Sequence, residues 1–253
     1  EPGIGRPSGP KRHGMNARTI DIGGRVLPLN VRTNARARRM TLKIEPGGHA
    51  VSLTVPPGLA RHQVEGFLRR HHDWLLDRIG RFEGRETAIG DGASLPVFGV
   101  AHTIRHSGNL RGLAEASVEN GAPILLVSGP AASIGRRASE YLKKEAKREI
   151  TERVRYHAEA SGKRFSAISF KDTKSRWGSC SSAGNLNFSW RIAMAPLFVV
   201  DYLAAHEVAH LSEMNHGPRF WALCEKLCPR TPEARRWLKA EGSFLHAIRF
   251  DAP

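Results

Sequence analysis

The sequence predicts an α+β fold, with an antiparallel β-rich region first and helices packed on a small sheet second. Three observations indicate this class. Short segments between residues 19 and 127 alternate apolar and polar residues, as strands do. Segments 60–82 and 130–161 repeat apolar residues at three- and four-residue steps, as helices do. The apolar, helix-favouring segment 201–213 carries the pattern H-E-x-x-H.

These patterns divide the chain into three expected regions. Residues 1–16 are rich in Pro and Gly and have no periodicity, which predicts a disordered tail. A β-rich region with one amphipathic helix is expected at 17–128, and a domain built around H-E-x-x-H at 129–253. The sequence contains no visible internal repeat.

The β-rich region is expected to begin with a small antiparallel sheet. Its strands are predicted at 19–22, 25–31, 40–44 and 50–55. Glycines at 23–24 and the Pro-Gly-Gly at 46–48 supply hairpin turns between them.

One amphipathic helix, 60–82, is predicted after these strands, although His71 and His72 interrupt its apolar stripe. Further strands are predicted at 95–100, 102–106, 117–119 and 124–127. A long helix should then run from Pro130 to about Ser161, where Gly162 ends it.

The H-E-x-x-H pattern points to a metal site. A helix turns 100° per residue, so His206 and His210 lie on one face, one turn apart, and can share a metal. Glu207 is rotated away from that face, where it can reach a water on the metal. A buried Glu between the two histidines is costly unless it has such a task.

A third ligand is expected from His216. On a continued helix it would lie roughly 15 Å from His206 and on another face. Asn215 and Gly217 tolerate left-handed dihedrals, and Pro218 suits the first turn of a new helix. We therefore expect the helix to stop near Glu213 and the chain to fold back towards the metal.

Segment 168–191 precedes this helix and reads as strand, turn, strand, with the turn at 181–184. The second strand is a candidate sheet edge beside the metal, where an extended peptide could add as a further strand. Lys174, Arg176 and Asn185 are polar groups that could project into the cleft. A purely structural hairpin is the other interpretation.

Composition limits location and partners. No apolar run reaches the roughly 18 residues of a membrane span, and no secretory signal pattern is visible. Three cysteines argue against a disulfide framework, so we expect a cytoplasmic protein with buried thiols at Cys224 and Cys228. The net charge of +15 favours scattered solvated faces, with nucleic-acid or nucleotide binding as an alternative. Nothing indicates an oligomeric state.

Two blocks of the chain carry a distinctive set of short motifs. They are S-R-W-G-S-C-S-S at 175–182 with G-N at 184–185 and F-S-W-R at 188–191, then D-Y at 201–202, H-E-x-x-H at 206–210, N-H at 215–216 and F-W at 220–221. Together they resemble the YgjP-like zinc metallopeptidases, which are related to the SprT-like and WLM proteases. The similarity is dense over 165–230 and looser over 30–160. It implies a zincin-like catalytic domain over 129–253, with zinc on His206, His210 and His216 and with Glu207 catalytic.

The implied reaction is hydrolysis of a peptide or protein substrate with one Zn²⁺ per chain. Glu207 would take a proton from a water whose pKa the bound zinc lowers to about 7. Tyr202 or Arg176 would donate to the oxyanion, a choice that the sequence leaves open. Glu213 and Asp201 are candidate acceptors for the ligand histidines.

Two other functions remain open at this stage. The same metal site could hydrolyse a nucleoside triphosphate, with Lys174, Arg176 and Arg191 binding phosphate. The protein could instead associate with nucleic acid through a structural metal site. Closed structural zinc sites take four protein ligands, whereas three histidines align here, which disfavours that alternative.

Overall fold

The computed structural model describes residues 18–251, so the predicted tail at 1–16 lies outside the described residues. The fold is α+β, as predicted. It divides into two compact units, one of residues 18–45 with 49–79 and one of residues 46–48 with 80–251. Residues 80–128 thus belong to the same compact unit as the metal-site half of the chain. The sequence grouped them with the N-terminal strands, and its three-region division stays a prediction.

The first unit contains a four-stranded sheet. In chain order its strands are β1 (Arg18–Ile22), β2 (Arg25–Thr33), β3 (Thr41–Ile44) and β4 (Val51–Val55), and in space the order is β1-β2-β4-β3. The outer pairs are antiparallel, as predicted, whereas the inner pair β2–β4 is parallel. The reason is that the chain crosses from β2 to the far edge, and the β3–β4 hairpin then returns β4 beside β2.

The helix predicted at 60–82 is two helices, α1 (Arg61–Arg70) and α2 (His72–Gly80). His71 stands between them at φ −106° and ψ 12°, and its Nδ1 lies 2.9 Å from the carbonyl oxygen of Phe67. Both helices pack on the sheet, where Leu75 meets a core that includes the fully buried Val51 and Leu53.

The second unit begins with β5 (Thr87–Ala88) and another four-stranded sheet. Its strands are β6 (Ser94–Val97), β7 (Val100–His106), β8 (Glu115–Glu119) and β9 (Ala122–Val127), in the order β6-β7-β9-β8. Their directions repeat those of the first sheet, with a parallel inner pair. The predicted long helix follows as α3 (Ile134–Ala160), and Gly162 ends it at φ +64°.

Segment 168–191 forms a three-stranded sheet of β10 (Ala167–Lys171), β11 (Gly178–Cys180) and β12 (Asn185–Ser189), in the order β10-β12-β11. The prediction that the second strand of the hairpin lies at the edge is wrong. That strand, β12, is central because β10 pairs with it in parallel on its other side. The edge strand of the hairpin is β11.

Four further elements complete the second unit: α4 (Leu197–Ala209), α5 (Pro218–Leu227), α6 (Thr231–Glu241) and β13 (Ile248–Arg249), which pairs with β5. Helix α4 is the most buried of them, with α3, α5 and α6 packed around it. Within residues 18–251, no helix is both long enough and apolar enough to cross a membrane.

A polar contact joins α4 to α3. The carboxylate of Asp201 accepts hydrogen bonds from Arg153 Nη1 and His157 Nε2, each at 2.9 Å, and His157 is fully buried. Burial alone would raise the pKa of Asp201, but these two partners outweigh it and the pKa is lowered. The ion pair therefore fixes the helix that carries H-E-x-x-H.

Candidate metal centre

Three imidazole rings converge at the end of α4. His206 and His210 lie one turn apart on one face, as predicted, and their ring centroids are 4.9 Å apart. His216 Nε2 lies 3.1 Å from His206 Nε2. Nitrogen atoms of the three residues all lie within 4.8 Å of one another. In the described part of the chain this is the only group of three or more potential ligands so placed.

The chain folds back to bring His216 into this group, but not by left-handed residues. Helix α4 ends at Ala209, and hydrogen-bonded turns continue to Glu213, whose amide donates to the carbonyl of Ala209. Gly217 has φ −83° and Asn215 has no positive φ, so the expected left-handed dihedrals are absent. Instead the amide of Gly217 donates to the carbonyl of Asn215, and Pro218 opens α5 as predicted.

His206 and His210 each have a hydrogen-bond partner at ring nitrogen Nδ1. Nδ1 of His206 lies 3.1 Å from the hydroxyl of Tyr202, one turn earlier on α4. Nδ1 of His210 lies 3.0 Å from the backbone carbonyl oxygen of Glu213. The carbonyl partner fixes the tautomer of His210, with Nδ1 protonated and the lone pair on Nε2, whereas the Tyr202 hydroxyl orients the ring of His206.

The predicted acceptors therefore need correction. Glu213 acts through its backbone carbonyl and not its carboxylate. Asp201 points away from the histidines and pairs with α3. The sequence missed this because a carbonyl acceptor leaves no residue-type signal.

Aromatic rings of α5 frame the histidines. The Phe220 ring lies 4.5–4.8 Å, centroid to centroid, from all three imidazoles, and Phe220 itself is fully buried. Trp221 stacks on His216 at 5.5 Å, and the guanidinium of Arg235 on α6 lies over the indole ring at 3.9 Å. The imidazoles are thus held by packing as well as by hydrogen bonds.

Burial favours the neutral form of His206 and His210. It lowers the pKa of His206 to about 3, and the neighbouring His210 and His216 act in the same direction. The pKa of His210 is lowered as well, chiefly by burial. Neutral imidazole is the form that binds a metal, so the arrangement is prepared for a cation.

Glu207 is buried beside the ligand group but is not part of it. It is 2% exposed, and its Oε2 has no hydrogen-bond partner among the described residues. Burial raises its pKa to about 8, while the positive charge of Arg176 opposes the rise. A divalent cation on the adjacent histidines would oppose it further.

Gly178 of β11 makes room for this carboxylate. A Cβ at that position would collide with Oε1, Cδ and Cγ of Glu207, and the φ of Gly178 is not positive. Glycine is therefore needed here for close approach and not for a special backbone conformation. No pattern of residue types indicates this role, beyond the motif in which the glycine stands.

The four candidate substrate-binding residues differ in exposure and in their contacts. Lys174 and Arg176 are exposed on the segment before β11, and the charge of Arg176 acts on Glu207. Asn185 is exposed at the hairpin turn, where it exchanges hydrogen bonds with Ser181. The fourth candidate, Tyr202, is 5% exposed and is committed to His206.

Arg191, the third proposed phosphate ligand, already has partners. Its guanidinium donates to both carboxylate oxygens of Asp172 and to the carbonyl oxygens of Leu245 and Ile248. Only 14% of its side chain is exposed. Its contacts hold the C-terminal segment against the sheet and leave it little capacity for phosphate.

The donor set fits a zinc ion. Three imidazoles are a common ligand set of catalytic zinc, and a nitrogen pair 3.1 Å apart can be bridged at the usual Zn–N distance of about 2.0–2.1 Å. The carboxylate with the unpaired oxygen lies outside this ligand set.

Comparisons with known proteins agree with this chemistry. The sequence model of one family, described as YgjP-like, metallopeptidase domain, matches residues 38–241. No curated protein matches the chain. A solved structure of the metallopeptidase zymogen of Pyrococcus abyssi abylysin is 20% identical over 36% of this chain and 92% of that one, with a TM-score of 0.33.

Proposed function

Because this chain belongs to the YgjP-like metallopeptidase family, we propose that it is a zinc-dependent peptidase whose centre is His206, His210, His216 and Glu207. One observation carries the assignment of roles. Three imidazoles share one small volume, while the buried carboxylate beside them is outside the ligand set and has an unpaired oxygen.

Glu207 is the general base in this proposal. A zinc ion on the three histidines would supply a Lewis acid and a water that ionises near neutral pH. Glu207 accepts the proton of the attacking water and passes it to the leaving amine nitrogen. Its burial supports this role, because a carboxyl with a raised pKa can both accept and return a proton.

Tyr202 and Arg176 then take different roles. Since the Tyr202 hydroxyl contacts Nδ1 of His206, we assign it to orienting that ligand. Arg176 is exposed and its charge reaches Glu207, so it is the better candidate for donating to the carbonyl oxygen as negative charge develops.

The edge strand β11 supports a peptide as the substrate. The amide of Ser189 donates to the carbonyl of Trp177, and that of Ser181 to Asn185, so odd-numbered residues of this strand face β12. Gly178 and Cys180 therefore direct their N–H and C=O groups outward. A peptide added there would run beside Glu207, which Gly178 touches.

Nucleotide hydrolysis is the alternative that the test must separate. It shares the metal and Glu207 but needs a phosphate site, and the partners of Arg191 weaken the one envisaged. Protein loaded with zinc should cleave a quenched-fluorescent peptide library and leave nucleoside triphosphates intact. Release of pyrophosphate or phosphate without peptide cleavage would refute the peptidase proposal and keep the metal centre.

A further inference from the structure

We propose that the first unit binds an extended acidic peptide, which adds as a strand to the free edge of β3. The site is the groove between β3 and the helices, a cavity of about 280 Å³ lined by Arg39, Met40, Leu42, Phe67, His71 and Trp74. We call it the β3 groove. It lies wholly within the first unit and does not depend on the hydrolytic centre.

The outer edge of β3 is available for pairing. Within residues 18–251, β4 is the only strand that pairs with β3. The amide of Glu45 donates to the carbonyl of Ala50, which makes this a hydrogen-bonded pair of the ladder. By alternation, Thr41 and Lys43 also face β4, so Leu42 and Ile44 direct their N–H and C=O groups outward. Two residues thus offer the donors and acceptors of a further strand.

The groove beside this edge has pockets for alternate side chains. The side chains of Leu42 and Met40 are half-buried against the core of the unit, on the same face as the helices. Phe67 and Trp74 form the opposite wall, and Trp74 remains 39% exposed. Every second side chain of an added strand would enter between these walls, which favours an apolar residue there.

Positive charge near β3 favours acidic residues on the other face of the added peptide. Lys43 is exposed on the side of β3 that faces away from the helices, and Arg39 lines the start of the groove. Residues 18–45 and 49–79 hold eleven Arg and Lys but five Asp and Glu, and no acidic residue lines the groove. A strand that alternates acidic and apolar residues would place its carboxylates opposite Lys43.

An extended peptide fits these features better than nucleic acid. Basic and aromatic groups suit both partners, since bases also stack on tryptophan. Outward N–H and C=O groups at every second residue of an edge strand are used by peptide backbones. The outward backbone groups of β3 therefore favour a peptide over nucleic acid.

The test uses the full chain with Glu207→Gln, so that the probe is not cleaved. The probe is a fluorescein-labelled octapeptide that alternates glutamate with valine and leucine, followed by fluorescence anisotropy. Trp74→Ala should weaken binding at least about tenfold, as expected for an anchoring aromatic residue. Leu76→Ala is the matched control, because Leu76 is on the same helix, is 38% exposed and does not line the groove. It should change the affinity by less than about twofold.

Two further comparisons separate strand addition from charge or from the metal centre. N-methylation of alternate amides of the probe should abolish binding, and Lys43→Glu should weaken it more than Arg32→Glu on β2. The proposal would be overturned if the N-methylated and unmethylated probes bound equally well. It would also be overturned if Trp74→Ala bound the probe as tightly as its parent protein, or if no binding were detected. Loss of binding on addition of EDTA would likewise overturn it, because that result would place the probe at the metal. Tight Trp74-dependent binding of an oligothymidylate without peptide binding would assign the groove to nucleic acid.

Discussion

Replacing Gly178 by alanine tests the contact between β11 and the proposed general base. The new methyl group would lie 2.7 Å from Cδ and 2.8 Å from Cγ of Glu207, whereas ordinary contacts begin at 3.4 Å. Because the nearest neighbour is the carboxylate itself, the collision displaces the proposed catalytic atoms directly.

The size of the effect follows from the difference between these distances and an ordinary contact distance. The carboxylate or the strand must move by about 0.7 Å or more, and a misplacement of about 1 Å in a catalytic group can cost roughly 100-fold in rate. Overpacking of a buried site also costs about 1–3 kcal/mol of stability. Since Glu207 is not among the clustered ligands, zinc content should stay at one per chain.

The assay is kcat/KM on a fluorogenic peptide, with zinc content and melting temperature measured on the same preparation. Gly90→Ala is the matched control, because a Cβ there meets no atom within 4 Å and its φ is not positive. We expect a loss of roughly 100-fold for Gly178→Ala and little change for Gly90→Ala. Full activity in Gly178→Ala would refute the proposed position and role of Glu207.

Three further predictions concern one proposed ligand, His216, and two residues that support the ligand helix, Tyr202 and Asp201. His216→Ala should weaken zinc binding by more than the roughly 10–100-fold that outer-shell changes cost, and parental affinity in competition titrations would remove His216 from the site. Tyr202→Phe should weaken zinc binding by about 10–100-fold without loss of helix, and unchanged affinity would show that the hydroxyl does not orient His206. Asp201→Asn should lower the free energy of unfolding of the zinc-free protein by roughly 1–3 kcal/mol. Because the folded-state pKa of Asp201 is lowered, this loss should be complete above about pH 4 and shrink as the pH falls through that pKa. A loss that does not change with pH would contradict the ion pair.

Periodicity predicted most of the secondary structure but not the pairing of strands. All eight strands of the two four-stranded sheets were expected near their observed positions, since alternation is local. The parallel inner pairs and the central place of β12 depend on which segments meet after the chain crosses over. Alternation does not encode such long-range choices.

The break between α1 and α2 shows a second limit. No Gly or Pro stands at the junction, and apolar residues recur at helical spacing on both sides of His71 and His72. At the junction His71 leaves the helical conformation, with φ −106° and ψ 12°, and its imidazole Nδ1 lies 2.9 Å from the carbonyl oxygen of Phe67. A side-chain bond to the backbone of this kind can only be recognised once the ring is placed.

The candidate centre was predictable to the extent that it lies within one helix and one turn. The spacing of His206 and His210 places them on one face of the helix, and Pro218 marks the start of the next helix. Two further features were not predictable: the close approach of Gly178, and the carbonyl of Glu213 as the partner of His210. Both are backbone features, which residue types do not reveal.

The most direct test of the central claim is Glu207→Gln, which keeps the shape of the side chain but cannot accept a proton. Zinc content, melting temperature and peptide turnover are measured on one preparation, beside the parent protein. We predict one zinc per chain, normal folding and a fall in turnover of at least ~100-fold, the scale of a lost general base. Loss of zinc together with activity would make Glu207 a ligand or a structural group, and unchanged turnover would contradict its role in the chemistry.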